Sequence, residues 1–378
     1  MEIIKLLTTT IILFLVVSCS SKSTTNIDET TESNPFYFGA DLSYVNEMED
    51  CGVIYKDASE AEKDPYKIFE EAGANLVRLR LWHNPKWTNY SNFEDVKKSI
   101  QRAKNEKMKV LLDLHYSDNW ADPEKQEAPE AWRTAINDTE VLGDSVYNYT
   151  YKILNNLANI DLLPELVQVG NEINSMILQQ GELHSPINWE RNSFLINKGI
   201  KAVREISIEK NKKIEVMLHI AQPENALWWF EQATQNGVLD FDWIGLSYYP
   251  LWSKYTLENV SKAFNTLIST YKKRLMVVET AYPFIMKNAD NANNILGNEA
   301  LIEGFPASEQ GQLDYLNKLK DIIDTSGGEG LIYWEPAWVS NNCFTQWAQG
   351  SHWDNATLFD ANNKAILGMQ FYNASIKN

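Results

Sequence analysis

The sequence predicts a single (β/α)8 barrel, an α/β fold with eight parallel strands, over residues 36–378. Eight short runs rich in β-branched and aromatic residues, each ending in a polar cluster, have the pattern of buried parallel strands. Amphipathic segments of helical periodicity separate these runs. Because strands and helices alternate throughout and no low-complexity linker interrupts them, we expect one domain.

The predicted strands follow one another in chain order. They are residues 37–41, 75–80, 110–115, 166–172, 214–219, 243–249, 275–279 and 330–335. Between them, apolar residues recur at helical spacing, and Phe93, Val96 and Ile100 share one face. A doubly wound sheet is the competing architecture. Residues 39–43 argue against it, because they lack the glycine-rich phosphate loop that normally follows its first strand.

The composition excludes one class of partner. With 34 Lys and Arg against 51 Asp and Glu, the net charge of −17 repels phosphate backbones and anionic lipid surfaces, so we expect no nucleic-acid partner. Three Cys without metal-type spacing exclude a disulfide framework and a zinc site of the usual kind. The 13 Trp and 17 Tyr exceed what size alone explains, and such rings suit both a large core and a groove that stacks on sugars.

Residues 1–18 have the features of a bacterial lipoprotein signal peptide. Lys5 precedes an apolar run over residues 6–17 that is too short to span a bilayer. The run ends in Val-Val-Ser-Cys, which resembles the site where Cys19 becomes the lipidated first residue of the mature chain. Residues 19–35 are polar and predict a flexible tether. We therefore expect an exported protein anchored to the outer membrane or cell surface only through this lipid; ordinary secretion is the alternative.

Two carboxylates stand out at the predicted strand ends, which meet at one face of a barrel. Glu172 follows the fourth strand's apolar residues and Glu279 the seventh's, where an unpaired charge is costly. Paired carboxylates suit glycoside hydrolysis, with retention at a separation of roughly 5 Å and inversion at 6.5–9.5 Å. A metal site that includes His115 and His219 stays open as an alternative, although the five His are not paired in sequence. Purely structural ion pairing also stays open.

Six segments at the strand ends resemble the endo-β-1,4-galactanases of glycoside hydrolase family 53, which belong to a clan of retaining barrel enzymes. They are residues 39–44, 79–82, 113–123, 169–172, 247–250 and 279–283. The resemblance covers nearly all of residues 36–378. It implies an enzyme that cuts internal β-1,4-galactosidic bonds of galactan (type I arabinogalactan) and needs no cofactor for catalysis. We expect a monomer acting on this polysaccharide or its oligosaccharides.

The resemblance also implies roles for individual residues. Glu172 is expected to be the general acid/base and Glu279 the nucleophile, and Asn171 is expected to hydrogen-bond the sugar 2-hydroxyl. Arg80 and Tyr248 are the strand-end groups expected to donate to the nucleophile and lower its pKa. A structural ion pair is the alternative for Arg80, and one of the adjacent Tyr248 and Tyr249 is expected to pack in the core.

Further residues are expected to contact the sugar chain. His115 and Trp334 are expected to line the floor of the site, and Asp118 and Trp120 lie in the loop after the third strand, where the family binds sugar. A core position is the alternative for His115. Glu335 is expected to face the helix layer in a structural role.

The loop after the seventh strand resembles a calcium site. Asn288, Asp290 and Asn294 offer oxygen ligands at close spacing, which hard cations prefer. Some bacterial relatives hold a structural calcium there with help from the loop after the eighth strand, where this chain has Ser351 and Asp354. An Asn-rich loop capped by its own side chains is the alternative.

Two questions stay open from sequence. Cys51 and Cys343 lie in loops above the first and eighth strands, which are neighbours in a closed barrel, so a disulfide is geometrically plausible. The function has near variants that act on mannan, xylan or glucan, and a distant one, a non-catalytic glycan-binding lipoprotein. Only an enzyme needs Glu172 and Glu279 together.

Overall fold

The computed structural model describes residues 36–181 and 185–375 and confirms the predicted barrel. Eight parallel strands pair in chain order, and β1 pairs with β8 to close the sheet. The strands are β1 (Tyr37–Asp41), β2 (Leu76–Leu81), β3 (Lys109–Leu114), β4 (Leu166–Val169), β5 (Glu215–Ala221), β6 (Trp243–Ser247), β7 (Arg274–Glu279) and β8 (Gly330–Tyr333).

Eight α-helices of the described residues surround or extend the barrel. They are α1 (Val45–Asp50), α2 (Pro65–Ala72), α3 (Phe93–Asn105), α4 (Thr139–Ala158), α5 (Trp189–Glu209), α6 (Pro223–Gln235), α7 (Ser261–Tyr271) and α8 (Glu309–Thr325). Their starts follow local capping chemistry. The side chain of Asn92, for example, accepts hydrogen bonds from the first-turn amides of Glu94 and Asp95 and so begins α3. The predicted helical face of Phe93, Val96 and Ile100 lies in this helix.

Three predicted strands end two or three residues earlier than their apolar character suggested, and β3 ends one residue earlier. β4 stops at Val169 because Gly170 takes a left-handed backbone with φ +86°. β6 stops at Ser247 and β8 at Tyr333, so Tyr248 and Glu335 lie in loops. In these loops the two-residue alternation of strand side chains no longer decides which way a residue points.

The barrel interior has an apolar lower layer and a charged upper layer. The lower layer, near the strand starts, packs Tyr37, Leu76, Leu111, Leu166, Met217, Trp243, Met276, Val278 and Ile332. The upper layer, near the strand ends, contains buried charged residues such as Arg78 and Asp113. A second apolar core between sheet and helices supports both layers. The sequence therefore places its buried charges together at the carboxyl ends of the strands, where barrel enzymes have their sites.

Cys51 and Cys343 form a disulfide with a Cα–Cα distance of 5.8 Å, which answers the question left open by the sequence. Cys51 directly follows α1, in the connection after β1, and Cys343 lies in the long loop after β8. The bond therefore joins the first and last loops of the barrel at the rim above the strand ends.

Among the described residues, no helix combines the length and the apolar character that a membrane crossing requires. The predicted signal peptide, the lipidation site Cys19 and the tether lie outside the described residues.

Candidate active site

A cleft of about 420 Å³ opens at the carboxyl ends of the strands. Most of the residues predicted to act on substrate line it: Glu172, Glu279, Arg80, His115, Trp120, Asn171 and Trp334. The cleft is also lined by Asp41, Arg78, Asp113, Asp122, Trp338 and Trp347. Aromatic walls around a small charged centre are the composition expected of a site that binds neutral sugar rings.

Carboxylate oxygens of Glu172 and Glu279 lie within 4.8 Å of each other. This upper bound is below the roughly 6.5–9.5 Å that inverting glycosidases need for an intervening water, and it agrees with the shorter separation of roughly 5–5.5 Å in retaining ones. Glu172 follows β4 in a left-handed backbone conformation with φ +43°. Such a conformation costs of order 1–3 kcal/mol in a residue other than glycine and is typical of functional positions.

Glu172 sits in surroundings that favour its protonated form. Ser247 donates a hydrogen bond of 2.5 Å to its Oε1, and within the described residues no basic side chain forms an ion pair with it. Burial is the main cause that raises the pKa of Glu172 to about 7, and the charge of Asp122 adds to it; the hydrogen bond from Ser247 and the charge of Arg78 lower this pKa but do not cancel the effect of burial. Glu172 therefore keeps its proton at near-neutral pH, as a general acid must.

Glu279 has the cationic partner that Glu172 lacks. The Arg78 Nη1 atom lies 2.8 Å from its Oε1. Burial raises the pKa of Glu279, Arg78 acts in the opposite direction, and the charge of Glu172 raises it again. Two carboxyls this close share one proton, and the guanidinium contact assigns the negative charge to Glu279. The prediction that donors bring its pKa below the ordinary value is wrong, because burial outweighs them.

Arg78 is the functional residue that the sequence reasoning missed. Its buried guanidinium contacts Asp41 at 2.9 Å, Asp113 at 2.8 Å and Asn171 Oδ1 at 2.8 Å, in addition to Glu279. Arg78 and Arg80 alternate along β2 with the same parity, so both face the barrel interior. Only their depth distinguishes them, and the deeper Arg78 reaches the nucleophile.

Arg80 contacts a different carboxylate from the one predicted. It pairs with Glu335 at 2.9 Å, and its guanidinium lies over the ring of Trp120 at 4.1 Å from the centroid. Glu335 was predicted to face the helix layer, which is wrong: it has φ +48°, is buried, and accepts the amide N–H of Tyr44. The pair therefore stiffens the rim and holds the Trp120 ring in the cleft.

Tyr248 does not line the cleft, contrary to prediction. It is fully buried, donates its hydroxyl to the carbonyl oxygen of Tyr255, and packs edge-on against Phe264 of α7. Tyr249 is the member of the pair on the site side: burial raises its pKa well above the usual range, and the charges of Glu279 and Glu172 add to this. Because the backbone turns after Ser247, the side chain of Tyr249 rather than that of Tyr248 lies on the side of the cleft.

His115 and Asn171 line the cleft with their polar atoms partly engaged. His115 Nε2 lies 3.1 Å from Asp113, and its Nδ1 accepts the amide of Ala121. Burial lowers the pKa of His115, so the neutral ring with a proton on Nε2 fits both contacts. Asn171 accepts from Arg78 at Oδ1 and donates to the Ala121 carbonyl at 2.8 Å. Its amide is thereby oriented, with one N–H free for a ligand.

The loop residues divide between two places. Trp120 and Trp334 lie in the cleft with ring centroids 6.2 Å apart. Asp118 lies in a separate surface pocket, because its carboxylate accepts the amides of Asn84 and Glu130 at 2.9 and 2.8 Å. Trp347, from the loop after β8, joins the cleft although no periodicity marked it; the density of Trp in that loop was the available signal.

The metal alternative does not fit the donor set. Glu172, His219 and Glu279 do converge, but both ring nitrogens of His219 already have partners. Nδ1 contacts Asn171 Oδ1 at 3.0 Å, and Nε2 contacts Ser247 Oγ at 2.9 Å. The guanidinium of Arg78 occupies the cationic position beside Glu279. These contacts are those of a carboxylate pair positioned by neighbouring side chains, and they leave His219 without a free nitrogen to ligate a metal.

The residues predicted to bind calcium do come together. The Nδ2 atom of Asn294 donates to Asn288 Oδ1 at 2.8 Å and to Asp354 Oδ1 at 2.7 Å. Asp290 accepts the amide of Ser351 at 2.7 Å. The loop after β7 and the loop after β8 are therefore joined through side-chain oxygens.

Comparison with known proteins agrees with this geometry. The profile of Glycosyl hydrolase family 53 matches residues 37–372. The chain is 54% identical to the arabinogalactan endo-beta-1,4-galactanase of Cellvibrio japonicus, over 91% of this chain and 92% of the relative. The family 53 catalytic domain from Ignisphaera aggregans superposes with a TM-score of 0.81 at 30% identity, covering 90% of this chain and 98% of that one. A structure of fungal beta-1,4-galactanases gives 0.77 at 29% identity, with 90% and 99% covered. The chain belongs to glycosyl hydrolase family 53.

Proposed function

We infer that this protein is an arabinogalactan endo-β-1,4-galactanase that cleaves internal β-1,4-galactosidic bonds with retention of configuration. The observation that carries this conclusion is the Glu172–Glu279 pair within 4.8 Å in a cleft lined by tryptophans. The names of family 53 relatives supply the substrate class. The polysaccharide is uncharged, so an acidic protein needs no electrostatic steering to bind it.

In the first step the Glu279 carboxylate attacks the anomeric carbon of the sugar. Glu172 donates its proton to the glycosidic oxygen as the carbon–oxygen bond breaks, and the leaving chain departs as an alcohol. A galactosyl ester of Glu279 remains. Arg78 holds the Glu279 oxygen in position, and the free N–H of Asn171 is placed to donate to the sugar 2-hydroxyl as charge develops at the anomeric carbon.

In the second step Glu172, now ionised, takes a proton from water while the water oxygen attacks the anomeric carbon. The ester bond breaks, and Glu279 regains its charge. Esterification removes the negative charge of Glu279 from beside Glu172, and the loss of a like charge this close favours ionisation of Glu172 when a base is needed. The short carboxylate separation therefore permits both roles of Glu172.

A panel of polysaccharides tests the substrate assignment. We expect rapid loss of viscosity and oligosaccharide release from galactan, and little or none from mannan, xylan and cellulose. A preference for another polymer would keep the barrel mechanism but overturn the galactanase assignment. Binding of galactan without cleavage would instead support the glycan-binding alternative.

The pH profile tests the role of Glu172. Because its pKa is about 7, we expect kcat/KM on galactan to fall tenfold per pH unit above that value, as the acid loses its proton. In Glu172→Gln this alkaline limb should disappear, together with most of the activity on galactan. An activated aryl galactobioside, whose leaving group needs no proton, should still form the galactosyl ester in this variant. An alkaline limb that persists in the variant would assign it to another group.

We propose that the protein is exported as a lipoprotein with a lipid on Cys19 and that it acts as a monomer at the cell surface. The signal-like residues 1–18 and the polar residues 19–35 support this proposal. Mass spectrometry of the membrane-extracted protein should find a diacylated or triacylated Cys19, and Cys19→Ser should move the protein out of the membrane fraction. An unmodified Cys19 in the extracted protein would favour ordinary secretion.

We also propose that the joined loops after β7 and β8 hold a calcium ion. The support is the side-chain oxygens of Asn288, Asp290 and Asp354, two of them carboxylates; Asn294, whose amide nitrogen contacts Asn288 and Asp354, would turn its oxygen toward the ion. Calcium should raise the Tm of EDTA-treated protein where magnesium does not, because ion binding to the folded state alone stabilises it. Asp354→Asn should lose that response. The same Tm with EDTA and with calcium would leave a loop held by hydrogen bonds alone.

A further inference from the structure

Two depressions on the face of the barrel opposite the cleft are lined by more basic than acidic residues, unlike the protein as a whole. The strands start at this face, and one depression there, beside the starts of β3 and β5, is lined by Lys104, Lys107, Lys109, Lys212 and Lys213. A second depression, at the start of β7, is lined by Lys272, Lys273 and Arg274. The acidic residues that line the two depressions are Asp161, Glu165 and Glu329. These two depressions are thus basic in a chain with 34 basic and 51 acidic residues. The same strand-start face also carries Glu106, Glu215, Asp240 and Asp242, and each of these acidic residues pairs with a lysine or an arginine.

Three of these lysines have charges available to a partner. Lys107, Lys212 and Lys272 are exposed and lie two, three and two residues before the starts of β3, β5 and β7; they form no ion pair with the described acidic residues. Others are partly neutralised: Lys104 pairs with Glu165 at 2.9 Å, and Lys213 pairs with Glu215 at 2.6 Å. The uncompensated charges are spread across the face rather than clustered around one small ligand.

The opposite end of the barrel is acidic, so charge is polarised along the barrel axis. The cleft is lined by Asp41, Asp113, Asp122, Glu172 and Glu279, against two arginines. β7 runs from Arg274 to Glu279, about 16 Å at the rise of an extended strand. The Debye length at physiological salt is about 8 Å. An anionic surface at the strand-start face is therefore attracted by the lysines and screened from the acidic cleft.

The chain enters the barrel at this same face. Phe36 directly precedes β1, and the ammonium of Lys109 lies 2.9 Å from the hydroxyl of Tyr37, the first residue of β1. Residues 1–35, with the proposed anchor at Cys19, are therefore attached at the basic end.

We propose that the strand-start face docks on the anionic headgroups of the membrane that carries the lipid anchor. The proposal rests on the anchoring proposed above. The lysines would contact lipid phosphates, and the lipid would keep the face at high local concentration. The cleft then points away from the membrane, toward polysaccharide in solution. The overall charge of −17 does not oppose this orientation, because the membrane interacts mainly with the charges that lie within a Debye length of it, and those are on the strand-start face.

The test uses the chain from residue 19 onward with Cys19→Ser, since the barrel over residues 36–375 closes on itself and contains its own core. Flotation measures its partition onto phosphatidylcholine vesicles with and without phosphatidylglycerol. We expect binding only to the anionic vesicles, lost at high salt. Lys107→Gln/Lys212→Gln/Lys272→Gln should lower the partition coefficient by roughly tenfold or more. The matched control, with exposed lysines elsewhere, is Lys254→Gln/Lys287→Gln/Lys318→Gln, which should change it less than about twofold.

Three results would overturn the proposal: no preference for anionic vesicles, equal losses in the two triple variants, or binding to polygalacturonate without binding to vesicles. The last would identify the face as a site for an acidic polysaccharide. Both variants should cleave galactan at the wild-type rate, because the substituted lysines lie outside the cleft. Since the tested chain has no lipid, the outcome is independent of whether Cys19 is acylated in the cell, which mass spectrometry reads separately.

Discussion

Replacing Glu279 with Ala is expected to lower kcat on galactan by at least about 10⁴-fold, the scale on which removal of a nucleophile acts. The substitution removes the group that forms the bond to the anomeric carbon and leaves Glu172 without its carboxylate partner. Binding of galacto-oligosaccharides should be retained, because the tryptophan walls are unchanged. Release of reducing ends measures the rate, and calorimetry of the inactive variant measures the binding.

Azide distinguishes the two carboxylates in this experiment. In Glu279→Ala a small anion can enter the vacated space and attack the anomeric carbon directly, so azide should restore turnover of an activated aryl galactobioside and give the α-azide. In Glu172→Ala azide should instead attack the galactosyl ester and give the β-azide. The same product from both variants, or unimpaired cleavage by Glu279→Ala, would reject the assigned roles.

Replacing Arg78 with Ala is expected to destabilise the protein by about 3–5 kcal/mol, as the loss of one partner from a buried ion pair does. Arg78 is the shared partner of Asp41, Asp113 and Glu279, so three buried carboxylates lose their cation together. The kcat should also fall, by roughly 10²–10³-fold, because Glu279 then takes up the shared proton and is no longer a nucleophile. Denaturant unfolding measures the first effect and single-turnover kinetics the second.

Arg78→Lys separates charge from geometry. A lysine restores one positive charge but cannot contact several carboxylates in the planar arrangement of a guanidinium. We expect it to recover part of the stability and little of the activity. Wild-type activity in Arg78→Lys would show that the positive charge alone suffices. Wild-type stability in Arg78→Ala would show that the ion pairs of Arg78 do not stabilise the fold.

The sequence was sufficient for the barrel and for its two carboxylates. Buried parallel strands require continuous apolar runs, so a polar residue directly after such a run marks the strand end and the site. Glu172 and Glu279 were found in this way, and resemblance supplied their roles. His115, Asn171 and Trp334 were placed by the same reasoning and Trp120 by the resemblance, and all four lie in the cleft.

The errors share a physical cause: the point where a strand ends is decided by backbone conformation rather than by apolar character. Once β6 ends at Ser247, alternation no longer predicts that Tyr248 faces the site. The left-handed backbone at Glu335, after β8, turns its carboxylate toward Arg80 and away from the helix layer. The alternation of side chains along a strand also does not show how deep a residue lies in the barrel. For this reason Arg80 was predicted to contact Glu279, whereas Arg78 does so.

The disulfide between Cys51 and Cys343 acts on the unfolded chain more than on the folded one. It closes a loop with a sequence separation of 292 residues, which includes most of the barrel. In the chain-entropy treatment, a loop of this length corresponds to about 5–6 kcal/mol of stabilisation, comparable to the whole stability of many domains. A newly made chain in a reducing compartment lacks this contribution. If the chain is exported as proposed above, it would cross the membrane in the reduced and less stable form. Formation of the disulfide after transport would then stabilise the folded barrel.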